Sequence, residues 1–352
     1  QLFYGDFHLI MKGNYYGTIL LYKDEQAPTG CLLCHLPGAH GTFRQLPGAE
    51  IRRTGTKRRI FPAAFGPSGD LLGRGISLPV LSGLGLPEYI FEKGKIKEHQ
   101  KALKARVEKL ARPAMKLSEW EKEKYVHDFI CENVHYDKLK KSYSHEIIGP
   151  LGQGVGVCEG IAKSVKVLCD ALGIWCMIAI CGNNPEKGIK YRHTWNIVKI
   201  GGTYYHLDAT FDNTLGKHSF GAKEIRYDYF NLDDKNIFRD HEPLIAPAPA
   251  CTDGDHFYYK EKKLSFTKVE DVYKRSLQAA KKGKMLTFHW RGGYLTRAVL
   301  DELLDLIKKA GAEKGKVARI ALNWPQAVLR LEYVEDGQEN VTMEEANEGE
   351  QE

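Results

Sequence analysis

The chain has 352 residues, 43% of them hydrophobic and 27% charged, and a formal net charge of +6. That balance is ordinary for a soluble globular protein, and the length suits two or three domains. No run of about 18 apolar residues occurs, which argues against a helical membrane span.

Eight cysteines are too few for a disulfide framework in a chain of this size. They read as reduced, mostly structural thiols and point to the cytoplasm. The opening "QLFYGDFHLI" lacks a signal-peptide pattern. A leader removed before residue 1 would instead place the protein outside the cell or at its surface. The last eighteen residues carry eight acids and no base, leaving the body near +14. A solvated acidic tail accounts for this more simply than a nucleic-acid partner.

In chain order, residues 1–85 are rich in Gly, Pro and aromatics and read as a β-rich region of undefined fold. "FHLIMKGNYYGTILLY" suggests two strands around Gly13-Asn14. "CLLCH", Cys31 to His35, fits a haem-attachment pattern, and with His40 offers zinc-ligand types. Neither an export signal nor a haem domain accompanies it, so it reads as a chance match. A domain is expected over 86–245. Its first helix runs from about Lys93 to Arg112, with Ile96, Leu103, Val107 and Leu110 on one face and Pro113 at its end. Ser118 with Glu121 forms a capping box for a second helix. A third starts near Cys158 after a glycine-rich loop, buries Ile161, Val165, Leu168 and Leu172, and is capped by Gly173. Ile174 to Cys181 is a continuous apolar run of the central-strand type. "HTWNIVKI" and "TYYHLDAT" are two strands joined by Gly201-Gly202. After the linker-like "PLIAPAPA", residues 246–335 read as a small α/β accessory unit, and 336–352 as a disordered acidic tail.

The chemistry gathers around "GVGVCEG". A helix N-terminus lowers a thiol pKa, because its unpaired N–H groups favour the thiolate. Cys158 holds that place. A thiol nucleophile needs a base, and the base an orienting group. With a two-residue turn at Gly201-Gly202, residues whose numbers sum to 403 face each other. His193 and Asp208 are then diagonal neighbours on one face. Cys158, His193 and Asp208 together make a triad by role. Trp195 and Tyr204 fall on the same face and could line an acceptor channel. His206 does too, which leaves a His/His/Asp metal site as a formal rival.

"GVCEG", "LCDALGI" and "HTWNIVKIGGTYYHLDATFD" resemble the bacterial transglutaminase-like domains of the papain-like cysteine enzyme superfamily. The resemblance runs from roughly Tyr125 to Asp240. It implies an α+β fold with the nucleophile's helix packed on an antiparallel sheet. It also implies Cys158 as nucleophile, His193 as base and Asp208 as its partner, with Trp195 and Asn196 supporting the site. Ile161 and Thr194 stand where family members often have Tyr and Ala. The implied chemistry is acyl transfer on a peptide bond or a glutamine side chain. The Cys158 backbone N–H, and less directly Gln153, are candidate oxyanion donors. Hydrolysis is preferred, with glutamine–amine transfer as the alternative and a non-catalytic binding module as the second. No cofactor or metal is expected. The expected partner is a protein or peptide substrate, not nucleic acid or membrane.

Overall fold

A computed structural model describes residues 92–189, 192–218 and 225–335, together with short backbone pairings at 19–22, 59–62 and 344–345. β1 (Ile19–Tyr22) pairs antiparallel with β2 (Arg59–Pro62), Ile19 opposite Pro62. The Gly13-Asn14 turn and the "CLLCH" motif lie outside the described residues.

Helix α1 (Lys93–Ala111) buries Ile96, Leu103 and Val107, as its periodicity predicts. It runs into a short turn, Arg112–Ala114, that contains Pro113. Helix α2 (Glu119–Asn133) opens on the Ser118/Glu121 capping box. Strands β3 (His135–Tyr136) and β4 (Val155–Gly156) form a parallel ladder just ahead of α3 (Cys158–Ala171). The α3 stripe of Ile161, Val165, Leu168 and Leu172 is buried. Gly173 closes the helix with a Schellman pair, Gly173 N–H to Asp170 O and Ile174 N–H to Cys169 O. Near the helix start, Gly160 lets the preceding loop approach. A Cβ there would lie 2.2 Å from the Ser144 carbonyl oxygen.

Helix α3 packs on an antiparallel sheet of β5 (Cys176–Ile180), β6 (Thr194–Ile200), β7 (Thr203–Leu207) and β8 (Phe230–Leu232), in that order. The α+β arrangement is the one expected. Two local expectations change. The apolar run around β5 lies at the sheet edge, not its centre. Its side chains from Cys176 to Ala179 are still buried, and Leu244 and Ile245 bond to its C-terminal end. The chain also leaves the β7 strand at Leu207 and forms α4 (Ala209–His218) between β7 and β8. The switch occurs because Asp208 Oδ1 accepts from the N–H groups of Thr210 (2.8 Å) and Phe211 (3.1 Å). Asp is a favoured residue at helix starts for this reason.

A second core follows. β9 (Ser265–Phe266), α5 (Val269–Lys282), β10 (Leu286–Trp290), α6 (Arg297–Ala312), β11 (Lys316–Asn323) and β12 (Val328–Glu335) enclose Val272, Phe288, Leu303, Ile307 and Leu329. β13 (Glu344–Glu345) pairs parallel to β11. The β11–β12 turn reaches the first core. Asn323 donates to Asp228 Oδ2 (3.0 Å) and to the Tyr229 hydroxyl (3.3 Å), and Gln326 donates to the Asn236 carbonyl (3.1 Å).

In the first core, Glu123 of α2 is fully buried against Asn231, whose Nδ2 donates to Glu123 Oε2 at 2.9 Å. Glu123 Oε1 and Asn231 Oδ1 have no hydrogen-bond partner, and protonation would give the acid a donor of its own. Burial pushes this carboxyl up to about 8. A raised carboxyl binds its proton more tightly when folded, so its contribution to stability falls as pH rises from the unfolded value to the folded one. Glu123→Gln puts a neutral group of the same shape in place of the acid. Its stability relative to wild type should grow by roughly 1 kcal/mol per pH unit between pH 5 and 8. Urea unfolding at several pH values measures this.

Candidate active site

The β6–β7 hairpin has the expected register. Ile200 opposes Thr203 and Asn196 opposes Leu207 across Gly201 and Gly202, both at positive φ (58° and 90°). Both turn positions of a type I′ hairpin need that conformation, which glycine adopts without strain. Beyond the last paired residues, the strand ends carry His193 and Asp208 into contact. His193 Nε2 lies 2.6 Å from Asp208 Oδ2.

Cys158 is the first residue of α3 and is partly exposed. No side chain caps this helix. The N–H groups of its first turn, including that of Cys158, have no intrahelical acceptor. Cys158 is among the groups that raise the His193 pKa. Buried Asn196 fixes the distance between helix and sheet, donating from β6 to the Ala162 carbonyl of α3 (3.0 Å) and toward the Met177 carbonyl of β5 (3.3 Å). The His193 ring is held between two aromatic faces. Phe211 stacks at 4.8 Å and Trp195 at 5.8 Å between centroids.

Burial opposes protonation of His193, but the Asp208 charge and hydrogen bond, aided by Cys158, raise its pKa well above 6.5. Burial alone would raise the Asp208 carboxyl. The His193 charge and hydrogen bond, with those of His241, outweigh it and hold the acid well below the usual carboxylate range. Oδ2 of Asp208 accepts from a second histidine, His241 Nε2, at 2.9 Å. His241 Nδ1 in turn lies 2.8 Å from Asp240 Oδ1. Sequence reasoning missed both residues. They lie in "RDHEP", far beyond the hairpin, and no periodicity places that loop. It also missed Tyr136 on β3, whose phenol is pushed up by burial and by the charges of Cys158 and Asp208.

Other expected roles shift. Trp195 is buried under His193, and its N–H donates to His206 Nδ1 (2.9 Å), so it walls no channel. Tyr204 packs edge-on against Trp175 (5.1 Å). Gln153 is exposed and makes no hydrogen bond to the trio. Among the described residues, two groups of side chains have ligand atoms close enough for a metal, His193/Asp208/His241 and His206/Asp234/Cys251. In the second, the Trp195 N–H occupies the Nδ1 lone pair of His206, so the proton sits on Nε2, against Asp234 Oδ1 (2.8 Å). Ligation there would require an imidazolate. In the first, both Nε2 atoms are already committed to Asp208. The rival site built on His206 with His193 and Asp208 does not form, because His206 bonds to Trp195 and Asp234 instead.

Residues 104–209 match the family model of the transglutaminase-like superfamily. The chain thus carries a transglutaminase-like domain, in the segment that holds Cys158, His193 and Asp208. A crystal structure of a TGase aligns with 13% identity and a TM-score of 0.29, over 39% of this chain and 36% of that one. A candidate cysteine protease from Cytophaga hutchinsonii aligns with 22% identity and a TM-score of 0.23, over 28% of this chain and 37% of that one. The chain spans little more than a third of the length of either. No curated protein matches it.

Asp208→Asn removes the charge that sustains the His193 proton and leaves burial unopposed. The His193 pKa should drop from above the usual histidine range to below it. Imidazole NMR titration of the two proteins measures the change.

Proposed function

We propose that this domain carries out thiol-dependent acyl transfer on peptide or glutamine amide bonds, with Cys158 as nucleophile, His193 as acid and base, and Asp208 as its orienting partner. The observation that carries the reading is the 2.6 Å contact between His193 Nε2 and Asp208 Oδ2, beside a partly exposed thiol at an uncapped helix start. A Cys–His pair needs a base oriented through one ring nitrogen so that the other can serve the thiol, and Asp208 takes one nitrogen of His193.

The Cys158 sulfur attacks the amide carbonyl, and the C–N bond breaks as His193 protonates the leaving amine. The Cys158 N–H is the donor placed for the oxyanion. A thioester remains. Water, deprotonated by His193, then adds to it and returns the thiol and a carboxylic acid. Two observations favour water over an amine as acceptor. The two aromatic side chains of the hairpin that could wall an acceptor channel, Trp195 and Tyr204, are engaged in packing. The basic body of the chain also repels a cationic lysine.

Cys158→Ala should lower turnover by about 10³-fold or more, since nucleophile loss leaves only the contribution of binding and the oxyanion site. The assay is mass spectrometry of a glutamine-containing peptide mixture incubated with enzyme, with and without a primary amine. Cleavage or deamidation should dominate. Amine-tagged glutamine as the main product would make the domain a transglutaminase. No Cys158-dependent product with either would make it a binding module.

A further inference from the structure

We propose that His241 is a positioning residue for the triad carboxylate, and that the C-terminal unit takes part in the reaction by holding it through Gln326 and Asp240. The inference rests on the Cys158–His193–Asp208 reading above.

His241 lies in the loop after β8, with its side chain almost wholly buried. Each ring nitrogen faces a carboxylate, Nε2 against Asp208 Oδ2 (2.9 Å) and Nδ1 against Asp240 Oδ1 (2.8 Å). A neutral imidazole has one N–H and can satisfy only one of them. Both bonds together require the imidazolium, and the two carboxylates supply the compensation that a buried cation needs. The groups facing His241 are Asp208 from the β7–α4 junction, Asp240 from its own loop, His193 ahead of β6 (centroids 5.3 Å apart) and Tyr229 ahead of β8 (5.5 Å). His206 of β7 also feels its charge. His241 thus places a cation beside the one carboxylate that His193 uses.

Asp240 is fixed from the second core. Gln326 Nε2 lies 3.2 Å from each of its oxygens. The Tyr229 hydroxyl donates to Asp240 Oδ2 (2.5 Å) and itself accepts from Asn323. Asn323 ends β11 and Gln326 lies in the turn that follows, and both are buried. One line of hydrogen bonds therefore runs from that turn through Asp240, His241 and Asp208 to His193. A purely packing histidine would need neither the second carboxylate nor its two supports.

The test follows the rate of Cys158 alkylation by iodoacetamide against pH, in the full chain, by peptide mapping. It needs no substrate. His193→Ala should reduce the profile to that of an ordinary thiol. His241→Gln should move the pH inflections of Cys158 reactivity upward by about one unit, because losing a nearby cation makes each deprotonation harder. Asp240→Asn, whose amide can still donate to a neutral His241, should shift them the same way by less and fold normally. It carries the test if His241→Gln does not fold. Gln326→Ala should give a smaller shift of the same sign. If His193→Ala changes the profile while the His241 and Asp240 variants superimpose on wild type, this inference fails and the triad stands. If Gln326→Ala alone leaves the profile unmoved, the C-terminal unit has no part in it. If His193→Ala changes nothing, the triad reading and this inference fall together.

Discussion

The arrangement around the Cys158 thiol depends on one buried carboxylate. Asp208 has no exposed surface, and each of its oxygens accepts twice. Oδ1 takes the N–H groups of Thr210 and Phe211, and Oδ2 takes the two histidines. An unpaired charge at such depth would be costly, so the four donors are a condition of its being there. The same four bonds end strand β7, start helix α4, aim His193 and anchor His241. Local structure and chemistry are set here by the same atoms.

The hairpin was legible because its turn is coded by two adjacent glycines, and a period of two then carries the register outward. That argument reached His193 and Asp208 even though the ladder stops at Asn196 and Leu207. It also implied that Trp195 and His206 share a face, and their hydrogen bond agrees. What it could not convey was depth. A face of a strand says nothing about what covers it, so Trp195 read as a channel wall when it is a floor. Helix α4 was hidden for a related reason. "LDATFD" continues an alternating pattern past Leu207, and only the side chain of Asp208, acting on its own backbone, breaks it. The Asp240–His241 pair comes from an irregular loop, where neither period applies.

The two cores meet across polar groups as well as apolar ones, with Val328 of β12 in the first core and Leu264 packed against both. Arg226 pairs with Asp228, which also accepts from Tyr259 and Asn323. Each bond between the units has a definite direction and length, so the turn between β11 and β12 is held in one pose on the first core. Apolar contact alone would tolerate sliding. Hydrogen-bonded networks of this kind exchange some stability for a single geometry.

The residue just before helix α3 is Val157, whose side chain cannot bond the first turn. A serine or aspartate in its place would steady the helix by about 1 kcal/mol. It would do so by accepting from the N–H of Glu159 or Gly160, next to the Cys158 N–H that the proposed reaction uses. Folding and reactivity meet at one helix end at this point in the chain. The protein forgoes a local gain in stability and keeps an electrostatic vacancy beside its thiol.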